Sequence, residues 1–119
     1  MYLLPEKLAL DELVGQQINM VCLGPYDVQI MFEKGTIIQS LLKLEIEENN
    51  IKNLLFENEL VDTSHIIKIT KNEVKGVKRK SDTEFHIELN NNISLCFHTE
   101  ESQYESINIS MPNGALEII

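Results

Sequence analysis

Residues 10–38 and 66–95 carry the same order of apolar positions, so whatever backbone the first segment adopts, the second must be able to adopt too. Leu10 and Leu13 match Ile66 and Ile69, and Ile18 and Val21 match Val74 and Val77. After a one-residue insertion, Val28, Ile30 and Phe32 match Phe85, Ile87 and Leu89, while Thr36 and Ile38 fall on Ile93 and Leu95. Gly35 falls on Asn92. That substitution has a physical cause: the last residue of a three-residue hairpin loop takes a left-handed backbone, which Gly adopts freely and Asn tolerates better than most.

Register supports the same loops, Glu33-Lys34-Gly35 and Asn90-Asn91-Asn92, because directly opposed residues of antiparallel strands share a face. Phe32 then opposes Thr36 and Ile30 opposes Ile38; in the second copy Leu89 opposes Ile93, Ile87 opposes Leu95 and Phe85 opposes Phe97. Upstream, a loop of Gly24-Pro25-Tyr26 sets Cys22 opposite Val28, Met20 opposite Ile30 and Ile18 opposite Phe32. Val21, Leu23 and Met31 fall on the other face, so both sides of this hairpin need cover, by a helix on one side and the duplicated sheet on the other.

A short helix is expected before each hairpin: Pro5 to Val14, with Leu4, Leu8, Leu10 and Leu13 on or near one side, and Thr63 to Thr70, with Ile66, Ile67 and Ile69. Pro5 suits a first turn, Thr63 or Ser64 can cap the second start, and Gly15 stops the first helix. Thr36 to Ile46 reads as one long strand, Asn49-Asn50 as a turn and Ile51 to Phe56 as a further strand. Tyr104 to Met111 and Ala115 to Ile119 flank Asn113-Gly114, whose two-residue turn opposes Met111 to Leu116 and Ile109 to Ile118. The expected fold is a single α+β domain over residues 1–119, mostly antiparallel β, made of two duplicated helix–hairpin units with about seven or eight strands and two short helices.

Charge narrows the function. Nineteen acidic residues against 10 basic give a net charge of −9, which repels phosphates, so direct nucleic-acid binding is not expected; the charge would steer in a basic protein, or serves only to keep a small domain soluble. The basic run Lys75-Gly76-Val77-Lys78-Arg79-Lys80 lacks interleaved aromatics and reads as a solvated strand and turn. Nothing approaches the ~20 apolar residues of a membrane span, and the start Met1 to Glu6 has no basic leader, so the chain reads as cytoplasmic. Cys22 and Cys96 then read as reduced core residues.

One constellation carries chemistry. The second hairpin's register opposes His86 to Cys96 and Glu84 to His98 on the face away from Phe85 and Phe97. The set could bind zinc, or form a Cys–His nucleophile pair, or be a mixed polar outer face. The equivalent first-copy positions, Gln29 and Gln39, are not ligands, so the duplication requires no metal and no cofactor is expected. Nucleotide-binding, serine-hydrolase and zinc-protease motifs are absent from the sequence, and five glycines leave little to shape a phosphate loop. Acidic residues gather as Glu45, Glu47 and Glu48; Glu57, Glu59 and Asp62; and Glu100, Glu101 and Glu105. Solvated edge strands and a docking surface for a basic protein both account for them.

Leu13-Val14-Gly15-Gln16, Ile18, the run Val21-Cys22-Leu23-Gly24-Pro25-Tyr26-Asp27-Val28-Gln29, Phe32 with Gly35, and the closing Tyr104-Glu105-Ser106-Ile107 with Ile109 resemble a group of small bacterial proteins. Some of that group are encoded beside toxin modules as immunity proteins of contact-dependent inhibition and related polymorphic toxin systems. Thr70-Lys71-Asn72 departs from the pattern, standing where a Gly-containing turn is expected. The resemblance implies a non-enzymatic protein that binds the C-terminal domain of a cognate toxin, a basic nuclease in many such systems, and occludes its substrate-binding surface; Tyr26 and Tyr104, for their contact area and polar tips, and the acidic clusters are then the candidate toxin-binding residues. Two alternatives stand beside it: a small metal- or thiol-dependent enzyme using His86, Cys96 and His98, and a homo-oligomeric scaffold joined through a strand edge.

Overall fold

A computed structural model describes residues 3–57, 60–101 and 104–119. Among them the chain forms β1 (Ile18–Leu23), β2 (Val28–Phe32), β3 (Ile37–Ser40), β4 (Lys43–Glu48), β5 (Ile51–Glu57), β6 (Leu60–Val61), β7 (Val74–Arg79), β8 (Glu84–Leu89), β9 (Ile93–His98), β10 (Ile107–Ser110) and β11 (Leu116–Ile118). Sheet one runs β1-β2-β3-β10-β11 and sheet two runs β6-β5-β4-β9-β8-β7, with every neighbouring pair antiparallel. Alternate residues of both sheets meet in one apolar core, in which Phe85 and Phe97 stack with ring centroids 4.9 Å apart. Among the described residues no helix is long and apolar enough to cross a membrane.

The repeat governs the topology. Each copy lays three consecutive strands into one sheet and then crosses to the other: β1-β2-β3 continues as β4-β5, and β7-β8-β9 continues as β10-β11. Because β4 pairs with β9 and β10 with β3, each sheet is completed by the other copy. The copies also share an antiparallel bridge, Gln17 to Glu73, flanked by two matched hydrogen bonds: Ile18 N–H to the Asn72 carbonyl at 3.0 Å and Val74 N–H to the Gln16 carbonyl at 2.8 Å.

Side chains repeat the symmetry at this junction. Gln16 Nε2 donates to the Glu12 carbonyl at 2.9 Å, and its Oε1 accepts from Lys34 N–H at 3.0 Å. Asn72 Nδ2 donates to the Lys68 carbonyl at 3.0 Å, and its Oδ1 accepts from Asn90 N–H at 3.0 Å. Each buried amide therefore ties the turn before its copy's first strand to the hairpin loop between its second and third. Lys71, at φ 65°, takes the left-handed place that Gly15 takes at φ 91°, so Thr70-Lys71-Asn72 makes the same turn as Val14-Gly15-Gln16 without a glycine.

The expected α+β class is overturned: the protein is mostly antiparallel β, with eleven strands among the described residues, and the two expected helices are only single 3-10 turns at Asp11–Leu13 and Ile66–Lys68. At about 100° per residue, Leu10 and Leu13 project away from Leu4 and Leu8, so no helical face serves all four. An extended strap buries Leu4, Leu10 and Leu13 together, held by Leu4 N–H to the Asp82 carbonyl at 2.8 Å and by Arg79 donating to the Pro5 carbonyl at 2.9 Å. In the second segment Ile69 is buried while Ile67 stays 83% exposed, and a segment this short does not repay helix nucleation.

Further corrections concern strands. The single strand expected from Thr36 to Ile46 breaks at Leu41-Leu42, where the chain changes sheets and Leu41 N–H bonds the Ser106 carbonyl at 2.8 Å. The loops Glu33-Lys34-Gly35 and Asn90-Asn91-Asn92 stand as expected, and so do the pairs Ile30 with Ile38, Phe85 with Phe97 and His86 with Cys96. The first hairpin differs: a bulge between Ile18 and Met20 keeps Ile18 opposite Phe32 but sets Val21 opposite Ile30 and Leu23 opposite Val28, turning both toward the core-facing side. Copy two carries a matching bulge between Val74 and Gly76. The last hairpin closes with three residues, Pro112-Asn113-Gly114, which pairs Ser110 with Leu116 and sends Leu116 and Ile118 outward. Neither side of the first hairpin is covered by a helix; sheet two covers the inner one.

Exchanging the residues at the paired left-handed positions tests this symmetry by urea denaturation. Lys71→Gly removes a left-handed penalty of about 1–2 kcal/mol against a glycine entropy loss of about 0.5–1 kcal/mol, so its midpoint rises slightly. Gly15→Ala, where an added Cβ would meet nothing within 4 Å, loses about 1 kcal/mol from backbone strain alone.

Candidate functional site

The outer face of sheet two collects the reactive side chains because β8, β9 and β4 are adjacent and in register. Glu84 opposes His98 and His86 opposes Cys96, while Glu45 opposes Cys96 from the other side. Lys52 reaches from β5 across β4 and β9 to Glu84, its Nζ 2.9 Å from Oε2. His86 Nε2 shares that same carboxylate oxygen, and His98 Nε2 lies 2.6 Å from Glu45 Oε1 with its Nδ1 3.9 Å from Glu84 Oε1. Under this mesh His86 and Cys96 are buried even though they sit on an outward face.

Electrostatics follow from the mesh. Burial would raise the Glu84 pKa, but hydrogen bonds from Lys52 and His86 and the charges of His98 and Lys52 outweigh it and hold the carboxyl at about 2. The hydrogen bond to Glu84 in turn raises the Lys52 ammonium above its usual value. Burial pushes the Cys96 thiol up to about 12, opposed by Lys52 and reinforced by Glu47, Glu84 and Glu45. At neutral pH Cys96 therefore keeps its proton.

Glu84, His86 and Cys96 place one carboxylate oxygen, one ring nitrogen and one sulfur within 4.8 Å of one another, a donor set that suits zinc by type. A divalent ion would have to expel the Lys52 ammonium from Glu84 and the proton from Cys96. The cluster carries its own cation, Lys52, and as it stands it is a hydrogen-bonded polar brace across four strands. His98, expected with His86 and Cys96, is held by Glu45 outside the trio.

The pseudo-equivalent face of sheet one holds a second polar centre. Asp27 Oδ2 accepts from Gln39 Nε2 at 2.6 Å and from Gln29 Nε2 at 3.2 Å. Asn108 Nδ2 donates to Gln39 Oε1 at 3.0 Å and to Glu105 Oε1 at 3.4 Å. Asp27, Gln29 and Gln39 occupy the repeat positions of Glu84, His86 and Cys96, so the duplication placed a carboxylate-anchored cluster on each outer face. Beside this ladder opens a concavity of about 300 Å³ walled by Ile37, Leu116 and Ile118.

The expected toxin-binding residues divide in two. The β1–β2 tip, the end of β5 and the β9–β10 connection all lie where the chain crosses between sheets, as the pairings Val28 with Ser40, Ser40 with Ile107 and Lys43 with both His98 and Glu57 require. This end carries Tyr26, Glu57, Glu100, Glu101, Tyr104 and Glu105, with Tyr26 67% and Tyr104 71% exposed. Asp62 follows β6 opposite Leu55, and hydrogen bonds from Ser64 hold its carboxyl below the usual range. Glu45 is engaged by His98, Glu48 pairs with Lys68 at 2.8 Å, and Glu47 lines a shallow hollow with Asn49, Asn50 and Asn92, so these three do not join the crossover end. Glu59 lies outside the described residues.

Sequence reasoning missed Lys52, whose role depends on a reach across two intervening strands, and missed the ladder of Asp27, Gln39 and Asn108. Only the matched spacing of Gln29 and Gln39 with His86 and Cys96 signals the latter. The fold and its two polar faces define a duplicated two-sheet antiparallel β-domain. The chain matches no protein family, no curated protein and no solved structure.

Two measurements check this account. The depressed Glu84 carboxyl contributes stability that is complete above its ordinary value of 4.5 and is lost as pH falls through about 2. Thermal melts from neutral to acid pH should therefore show a steep acid limb in the parent protein and a shallower one in Glu84→Gln, which starts less stable. Thiol titration in native buffer should report Cys22, which is partly exposed, well before Cys96, which reacts only on unfolding.

Proposed function

We propose that this protein acts in the cytoplasm as an immunity-type binding protein that docks on a basic toxin domain and covers the surface the toxin uses for its substrate. The observation that carries the reading is the crossover end of the sandwich, where Glu57, Glu100, Glu101 and Glu105 stand with the exposed rings of Tyr26 and Tyr104. A net charge of −9 steers a cationic partner toward such an end. Tyrosine adds broad contact area with a polar tip at little entropic expense. A nuclease toxin, whose phosphate-binding surface is cationic, is the partner class that this charge suits best. The chain needs no catalysis for the role: inhibition follows from occupying the partner.

Co-expression with the C-terminal domain encoded by the neighbouring upstream gene, followed by pull-down, tests the proposal. A complex is expected at low salt, weakening as salt screens the acidic end. The pair Glu100→Lys and Glu101→Lys should weaken binding at least about tenfold, roughly 1.4 kcal/mol, without changing the melting behaviour. Absence of any complex at low salt would overturn it.

A further inference from the structure

We propose that the concavity on the outer face of sheet one receives the guanidinium side chain of an arginine on the partner protein, an inference that rests on the partner being basic. The hydrogen-bond direction along the ladder points to this ligand. Asp27 can only accept, so Gln29 and Gln39 turn their NH₂ groups toward it. Gln39 then presents its carbonyl oxygen to Asn108, which spends its own NH₂ on Gln39 and on Glu105. Both N–H groups of Asn108 and one each of Gln29 and Gln39 are thus engaged within the protein, so the Asn108 end of the ladder faces the cavity's surroundings with acceptors, the Asn108 carbonyl and the Glu105 carboxylate.

One acceptor is unmet. Asn108 Oδ1 is buried and has no hydrogen-bond partner among the described residues, a state that ordinarily costs about 1–3 kcal/mol. Beside it Glu105 brings a carboxylate from the exposed connection to β10. A group that donates several hydrogen bonds and carries positive charge answers both. The walls select further: Ile37, Leu116 and Ile118 offer apolar surface to the methylene stem of a long side chain. Arginine fits better than lysine, since its planar fork serves two separated acceptors at once, whereas an ammonium is a hydrated point charge. Ile118 pairs with Asn108 across the edge strand, and Leu116 and Ile118, 61% and 46% exposed, are the wall residues that an incoming side chain would displace.

This surface also follows from the three-residue Pro112-Asn113-Gly114 loop. A two-residue turn would have turned Leu116 and Ile118 to the other face and left no wall. The occupant is distinct from the charge-steering contacts of the crossover end, although Glu105 belongs to both.

NMR titration of the full-length protein with N-acetyl-arginine amide, its neutral citrulline analogue and N-acetyl-lysine amide tests the site directly. The arginine probe should shift the side-chain amide signals of Asn108 and Gln39 and the methyl signals of Ile37, Leu116 and Ile118, saturating in the millimolar range expected of a single anchor. Citrulline should bind at least about tenfold more weakly, and lysine several-fold more weakly. Equal binding of citrulline or lysine, or shifts confined to Glu100 and Glu101, overturns the proposal. Leu116→Lys, at an exposed edge position, should abolish arginine binding while leaving the fold intact. Applied to the toxin pull-down, the same variant separates the two ideas. A complex that survives Leu116→Lys but not the Glu100 and Glu101 reversals sinks the arginine site alone. Arginine binding with no partner captured sinks the immunity reading alone.

Discussion

Two buried side-chain amides hold the duplicated halves in register, and the rest of the architecture depends on them. Gln16 and Asn72 each satisfy one backbone carbonyl before a strand and one backbone N–H in a hairpin loop, and their own main chains form the bridge between copies. A buried polar group with all its partners in place specifies one arrangement, because any slip leaves a donor or acceptor unmet in a dry interior. With this junction set, the first strands of both copies meet at the corner where the sheets close. Each chain half is then aimed to finish the opposite sheet.

That exchange of strands explains why a short chain can afford two large outer faces. The core is made by both copies jointly, so the outward positions are released from packing duty and have diverged. On sheet two the carboxylate of Glu84 is paired with Lys52 and surrounded by His86 and His98 in a closed hydrogen-bonded network. On sheet one the carboxylate of Asp27 is surrounded by amides, and the network ends in an unmet acceptor beside an apolar wall. The same scaffold positions thus give one face that is satisfied within the chain and one that invites a donor from outside. His86 and Cys96, the residues with the most versatile chemistry on that face, lie buried beneath Lys52.

Particular residues show how far pattern reading reaches. Phe85 with Phe97, Ile30 with Ile38 and the loops ending in Gly35 and Asn92 follow from side-chain alternation and left-handed turn positions, both local properties. Met20 and Cys22 were misplaced because a bulge is a one-residue irregularity that apolar spacing does not reveal when both faces carry apolar side chains. Leu4, Leu8, Leu10 and Leu13 suggested a helix, since counting leucines ignores the 3.6-residue period that sets two of them on the wrong side. Lys71 hid a turn that Gly15 advertised, because context can impose a left-handed backbone on a residue that does not prefer it.

By itself the sequence determined the duplication, the antiparallel hairpins, the identity of most core residues and the acidic balance, since each depends on near neighbours or on composition. Tertiary structure alone decided that the two copies exchange strands, that Lys52 neutralises Glu84, and that Asp27, Gln39 and Asn108 join across three strands. Those contacts link residues distant along the chain, and their partners are chosen by which strand ends beside which, a choice made when both sheets close over one core.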